Sequence, residues 1–240
     1  MKIKRPVSKT LSLFFLFLSL VLIIVIKSRD AEAVTSQIEA GVYHTIILKL
    51  DGTLWAWGGN SEGQLGDGTT TNRYSPAKIG TDINWSAVSA GSRHNIALKS
   101  DGTLWAWGDN IVAQLGDGTT TNRTSPVKIG TAANWSFVET GGYHTITLKS
   151  DGTLWAWGYN GEGQLGDGTQ EIRVFPVKIG TDTNWSFVTG GSYFTIALKS
   201  NGTLWAWGDD LYGQLGNGSP TASEYSPVQI GTDTNWSSVT

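Results

Sequence analysis

The sequence predicts an all-β fold, a β-propeller of four-stranded blades about 50 residues long, with four repeats present and the ring partial or incomplete. Three observations predict it. The octamer DGTLWAWG fills 51–58, 101–108 and 151–158, and returns at 201–208 with Asn201 in place of the aspartate. All twelve tryptophans fall at repeat positions, eight in Trp-Ala-Trp triplets and four in Asn-Trp-Ser. Short runs rich in Thr, Ile, Leu and Trp alternate with turn signals, and no helical periodicity follows residue 33.

The first 33 residues are of another kind. Lys2, Lys4, Arg5 and Lys9 form a basic start, an apolar run covers 11–26, and Ala31-Glu32-Ala33 ends the segment. These are the parts of a secretory signal with an A-x-A cleavage site. The alternative is an uncleaved membrane anchor over 11–26, although a span normally takes about 20 apolar residues. Either reading puts the rest of the chain outside the cytoplasm, secreted or on the cell surface. The segment holds six Lys or Arg and two Asp or Glu, so without it the net charge moves from −3 to −7. That excludes nucleic acid as a partner, since phosphate binding needs a basic surface. The absence of cysteine excludes disulfides, thiolate metal sites and a cysteine nucleophile.

From residue 34 onward the units run about 36–85, 86–135, 136–185 and 186–236, followed by a stub. Each unit begins with an extended piece and a hairpin. In YHTIILKLDGTLWAWG (43–58), Asp51-Gly52 predicts a type I′ turn between two strands. Alternation puts His44, Ile46 and Leu48 on one face, and Trp55 and Trp57 share a face of the returning strand. The stretch GQLGDGT is too glycine-rich for a helix, and the runs around Pro76 and Trp85 supply two further short strands. A tryptophan buries roughly 150–250 Å², worth at most about 4–6 kcal/mol. Twelve of them exposed would make the chain insoluble. The octamer is therefore expected to be wall, with the tryptophans buried between blades.

GSRHNIALKSDGTLWAWGDN, followed by AQLGDGT, resembles the repeat of the regulator of chromosome condensation family. The features that carry the resemblance are the Gly-x-x-His start, the Leu-x-x-Asp-Gly hairpin, the Trp-Gly-x-Asn step and the Gly-Gln-Leu-Gly-x-Gly loop. It covers residues 36–240. Beta-lactamase inhibitor protein II, a secreted propeller, is similar in repeat and context. The resemblance implies a seven-bladed propeller, whereas this sequence holds four units. The shortfall reads as a fragment of a longer product, with a four-bladed ring and ring completion by self-association through open repeat ends as alternatives.

Nothing in the sequence points to a cofactor, a metal or an enzyme. His44, His94 and His144 fall one per blade, with Phe194 in the fourth, and are expected to satisfy backbone groups within their own blades. The Gly161, Gly163, Gly166 pattern lacks the helix that dinucleotide binding needs. The Asp-Gly pairs are turn chemistry. Every candidate acid or base is a repeat element, so no catalytic centre breaks the symmetry. What does break it is the loops. After Trp-Ala-Trp-Gly the copies read GNSEG, DNIVA, YNGEG and DDLYG, which singles out Ile111, Val112, Tyr159, Leu211 and Tyr212. Before the hairpin they read VYH, SRH, GYH and SYF, which singles out Arg93, Tyr143 and Tyr193 as residue types common at binding hot spots. The expected function is non-enzymatic binding of a protein or other macromolecule through these loops, inhibitor-like in one version. A guanine-nucleotide exchange role is the alternative that the resemblance implies. A carbohydrate-active enzyme is the third.

Overall fold

The computed structural model describes residues 36–218 and 223–238, and the segment read as signal or anchor lies outside them. The described strands make four antiparallel sheets of four. The first blade holds β1 (Gln37–Ala40), β2 (His44–Leu48), β3 (Leu54–Gly58) and β4 (Arg73–Ile79), hydrogen-bonded in that order. The second runs from β5 (Trp85–Ala90) to β8 (Arg123–Lys128), the third from β9 (Trp135–Thr140) to β12 (Arg173–Lys178), and the fourth from β13 (Trp185–Gly190) to β16 (Glu224–Ile230). The first strands of neighbouring blades touch, so they line the axis. Trp85, Trp135 and Trp185 each open a sheet, so the tryptophan that ends a sequence unit starts the next blade.

The Asp-Gly hairpin forms, but not with the expected turn. Positive φ occurs at Gly52 (73°) and not at Asp51. Gly52 N–H donates to Lys49 O, and Lys49 N–H donates to Thr53 O, both at 2.9 Å. This is a three-residue loop, a type I turn closed by a left-handed glycine, rather than a type I′ turn. Asp51 does other work. Its Oδ1 accepts from Thr53 N–H (3.1 Å) and Thr53 Oγ1 (2.6 Å), and that hydroxyl in turn accepts from Trp55 Nε1 (3.0 Å).

The core sits between blades. Leu104, Leu115 and Ile129 of the second blade pack with Trp135, Val138 and Trp157 of the third. Each joint is built the same way. The indole N–H of Trp107 donates to the Gln64 carbonyl (3.2 Å), Trp157 to Gln114 (3.0 Å) and Trp207 to Gln164 (2.9 Å). The indole lies against the preceding blade's glycine. A Cβ on Gly116 would come within 2.5 Å of Trp157, so no other residue fits there. A third indole comes from the first strand of the same blade. Trp135 packs edge-on to Trp155 and Trp157, with centroids 5.8 and 6.3 Å apart, under the Lys149 ammonium.

The expectation of twelve tryptophans buried between blades is half corrected. Trp107, Trp157 and Trp207 are fully buried, and Trp85, Trp135 and Trp185 nearly so. Trp55, Trp105, Trp155 and Trp205 are partly exposed, and each has a lysine ammonium over its ring. Trp57 is partly exposed and Trp236 is 43% exposed, and both stand at the ends of the described array, where no described blade covers them.

The histidines also differ from expectation. They bridge blades through side chains. His44 Nε2 meets Asn95 Oδ1 (2.8 Å), His94 Nε2 meets Thr145 Oγ1 (3.1 Å) and His144 Nε2 meets Thr195 Oγ1 (3.0 Å). Thr145 and Thr195 pass the bond on to the carbonyls of Gln114 and Gln164. Among the described residues, no three His, Cys, Asp or Glu come together as a metal site would require.

Candidate functional site

In every blade the turn between the first two strands and the loop between the last two lie at the same end of the sheet, opposite the Asp-Gly hairpin. A backbone bond ties them: Asp109 N–H to Arg93 O (2.9 Å), Tyr159 N–H to Tyr143 O (3.0 Å), Asp209 N–H to Tyr193 O (2.9 Å). The symmetry-breaking residues therefore share one face.

Five of the eight come together. Ile111 and Val112 from the second blade, Tyr143 and Tyr159 from the third and Tyr193 from the fourth line one pocket of about 180 Å³. Its walls are aromatic. Tyr143 and Tyr193 are stacked at 5.7 Å and 15°, and Tyr159 meets Tyr193 edge-on at 6.0 Å. Partial burial, then the neighbouring tyrosines and Glu162, push the Tyr193 hydroxyl above its ordinary value, so at neutral pH it remains a donor. Arg93 lies outside the pocket, with its guanidinium 5.3 Å from the Tyr43 ring and 3.7 Å from the Glu62 carboxylate. Leu211 (72%) and Tyr212 (88%) are the most exposed of the set and stand on the fourth blade's loop, away from the pocket.

The loops that carry these residues are held firmly. The Asn110 amide donates to Asp117 Oδ1 (3.1 Å), Thr119 O (3.0 Å) and Thr121 O (3.1 Å), and its carbonyl accepts from Leu115 N–H (3.0 Å). Asp117 also holds Arg123 at 2.6 Å. Ala113 has φ 63°, the one non-glycine with positive φ among the described residues, where the other copies have Gly63, Gly163 and Gly213. A Cβ in that region is strained by roughly 1–2 kcal/mol. The second blade bears this strain in the loop that delivers Ile111 and Val112, and such strain is more common at functional positions than elsewhere.

Sequence reasoning missed three features. Tyr43 stands in the same row as Tyr143 and Tyr193, and comparing the triplets before each hairpin would have found it. Glu39 and Glu139 stand on the axial strands where the sibling copies have Ser89 and Thr189, so the expectation that no acid breaks the repeat symmetry is corrected. Neither glutamate lines the axial cavity of about 390 Å³, whose walls are the glycine-rich turns. Glu139 is a half-buried charge rather than an acid poised on a substrate. Burial, reinforced by the Glu39 charge, raises its carboxyl to about 7. Unfolded, the group titrates near 4.5, so between those values the folded state holds more protons and stability falls as pH rises. Glu139→Gln is expected to stabilise the fold by up to about 3 kcal/mol at pH 8 and to change little at pH 4, as thermal melts at the two pH values would show.

Four sheets around a common axis, joined by indoles seated on glycines, define a β-propeller repeat protein. The model of the RCC1-like domain matches residues 23–239, and the chain belongs to that family. Among solved structures, human WBSCR16 is similar, with 26% identity and a TM-score of 0.74 over 82% of this chain and 52% of that one. Prp20p from Saccharomyces cerevisiae matches at 23% and 0.74, over 82% of this chain and 50% of that one. The yeast RCC1 (Prp20) bound to Kap60 matches at 23% and 0.73, over 82% and 48%. The chain spans about half the length of these structures.

Proposed function

We propose that the chain is a non-enzymatic binding propeller, exported to the cell exterior, that captures a protein partner on its loop face with the three-tyrosine pocket as anchor. The observation that carries this reading is the convergence of five of the eight symmetry-breaking residues on one apolar pocket, in a frame that is otherwise nearly repeated. Aromatic residues in a central, desolvated pocket supply most of the energy at typical interfaces. Export is supported by the basic and apolar segment in 1–33, and inhibition of a secreted enzyme is the form of binding that the resemblance suggests. The similar yeast protein Prp20p binds Gsp1p and histones, which supports a protein partner in general. A net charge of −7 after residue 33 speaks against nucleic acid as the partner here.

The test is affinity capture from the culture medium of the source cells, followed by a titration of the captured protein. Tyr193→Ala removes the ring that both other tyrosines touch and is expected to cost about 2 kcal/mol, roughly thirtyfold in Kd. The exposed Tyr74→Ala serves as control. An unchanged Kd for Tyr193→Ala combined with Ile111→Asp would remove the pocket from the binding site. Recovery of the full-length chain from the cytoplasm would defeat the export part alone.

A further inference from the structure

Charge is unevenly placed on the blades. From residue 34 onward all seven lysines stand at the hairpin end and all four arginines at the loop end. The hairpin end adds six carboxylates and is close to neutral, whereas the loop end adds ten. Three of the four arginines there are committed to carboxylates of their own loops, Arg73 to Asp67, Arg123 to Asp117 and Arg173 to Asp167, each at 2.6 Å. The field over the loop face is therefore negative and draws in a basic partner.

The fourth arginine shows how this face seats a cation. Arg93 lies with its guanidinium 5.3 Å from the Tyr43 ring and 3.7 Å from Glu62 Oε1. Glu62 is fixed through its other oxygen, which accepts from Asn122 Nδ2 (2.6 Å). Two blades on, the same parts recur, with Tyr143 at the position of Tyr43 and Glu162 at that of Glu62. The two loops fold alike: Glu62 N–H donates to Gln64 Oε1 (2.9 Å) and Glu162 N–H to Gln164 Oε1 (3.0 Å). Ser223 Oγ donates to Glu162 Oε2 (3.1 Å), as Asn122 does to Glu62. What differs is the cation. Tyr193 takes the position of Arg93 and stacks on Tyr143, and among the described residues no lysine or arginine pairs with Glu162. Tyr159 adds a third ring, lying over Gly161, where a Cβ would strike its hydroxyl.

Resting on the loop-face reading above, we infer that the three-tyrosine pocket takes an arginine side chain of a basic protein partner, with the guanidinium on the tyrosine faces and turned toward Glu162, as Arg93 lies on Tyr43 beside Glu62. The pocket's volume of about 180 Å³ suits one side chain, since small-molecule sites run to about 300–1,000 Å³. Ring faces are electron-rich and attract a cation. Ile111 and Val112 line the same pocket and offer apolar surface to the methylene stem. Arginine fits better than lysine, because its planar, weakly hydrated guanidinium stacks on aromatic rings while an ammonium holds its water. A leucine would fill the space and leave the negative field without a counterpart.

The probes are four acetylated, amidated peptides, Gly-Ser-Gly-X-Gly-Ser-Gly, with arginine, citrulline, lysine or leucine at X. Each is titrated into the full-length chain and followed by the tyrosine ring signals in NMR spectra. The arginine peptide is expected to shift the rings of Tyr143, Tyr159 and Tyr193. Citrulline keeps the shape, loses the charge and should bind roughly tenfold more weakly. Lysine and leucine should also bind more weakly than arginine. Glu162→Gln should weaken the arginine peptide about threefold, and Glu171→Gln, on the same face but outside the pocket, should not. Tyr193→Arg supplies the cation within the chain, in the arrangement that the second blade already uses, and should abolish binding of the peptide while the melt is retained. Equal affinity for arginine and citrulline, tighter binding of leucine, no binding of arginine at millimolar concentration, or a response that persists in Tyr193→Arg each overturns the inference. The captured partner separates the two readings. An affinity that falls with Tyr193→Ala but ignores Glu162→Gln would keep the pocket as anchor and remove the arginine alone.

Discussion

Lowering the pH from 7 to 5 is expected to remove about 2 kcal/mol of stability for each of His94 and His144. Both rings are fully buried, and burial holds both near pKa 3, with the nearby His144 and His44 charges adding to the effect on His94. In the unfolded chain they titrate at about 6.5. Between 6.5 and 3 the unfolded state therefore binds more protons, and stability is full above 6.5 and drains as pH falls. Glu139 acts in the opposite direction above 4.5, so the histidine slope is cleanest in a Glu139→Gln background. The fourth blade supplies the control. Phe194 packs against Gly191 as His144 packs against Gly141, so the site accepts a phenyl ring. His144→Phe should cost about 1 kcal/mol at pH 8 through the lost bond to Thr195 and should lose one histidine's share of the acid slope. Melting temperatures from pH 4 to 8 check this. An unaltered slope in the double His94→Phe, His144→Phe variant would show that the acid sensitivity arises elsewhere.

Trp157→Ala is expected to cost about 3–5 kcal/mol, because it removes a fully buried indole, empties the seat on Gly116 and strips a donor from Gln114. The comparison that gives the number meaning is Trp57→Ala. Residue and octamer are the same, but Trp57 is partly exposed and has no glycine seat among the described residues, so in the isolated chain its loss should cost clearly less. Denaturant titrations of the two variants side by side would measure the difference. Equal losses would mean that the energy lies within the blade and not in its seat on the preceding one.

The blades could be read from the sequence because their signals are local. Asp51-Gly52, the alternation of His44, Ile46 and Leu48, and the period of the octamer are each set by a few neighbouring residues. What crosses from one blade to the next was harder to read. Nothing in the run around His144 says that Nε2 would find Thr195 rather than a backbone group, because the partner is one blade away. The turn type was missed because Asp51 caps Thr53 instead of taking positive φ. The pocket was half legible. Breaks in the repeat identified Ile111, Val112, Tyr143, Tyr159 and Tyr193 one at a time. Their meeting follows only from the joint, which sets the late loop of one blade beside the early turn of the next. Leu211 and Tyr212 broke the repeat equally and stand on the fourth blade, where no following blade among the described residues supplies a facing turn.

The acceptor in each joint is a main-chain oxygen, at Gln64, Gln114 and Gln164, and the seat beneath the indole is a bare glycine. The bond therefore asks almost nothing of side-chain identity, and any copy can follow any other. At the level of the gene, unequal crossing-over between near-identical 50-residue segments would delete or add a whole cassette in frame and still leave matched seams on both sides. Cassette number becomes something a lineage can vary in one recombination event, while the exposed loops diverge by point mutation.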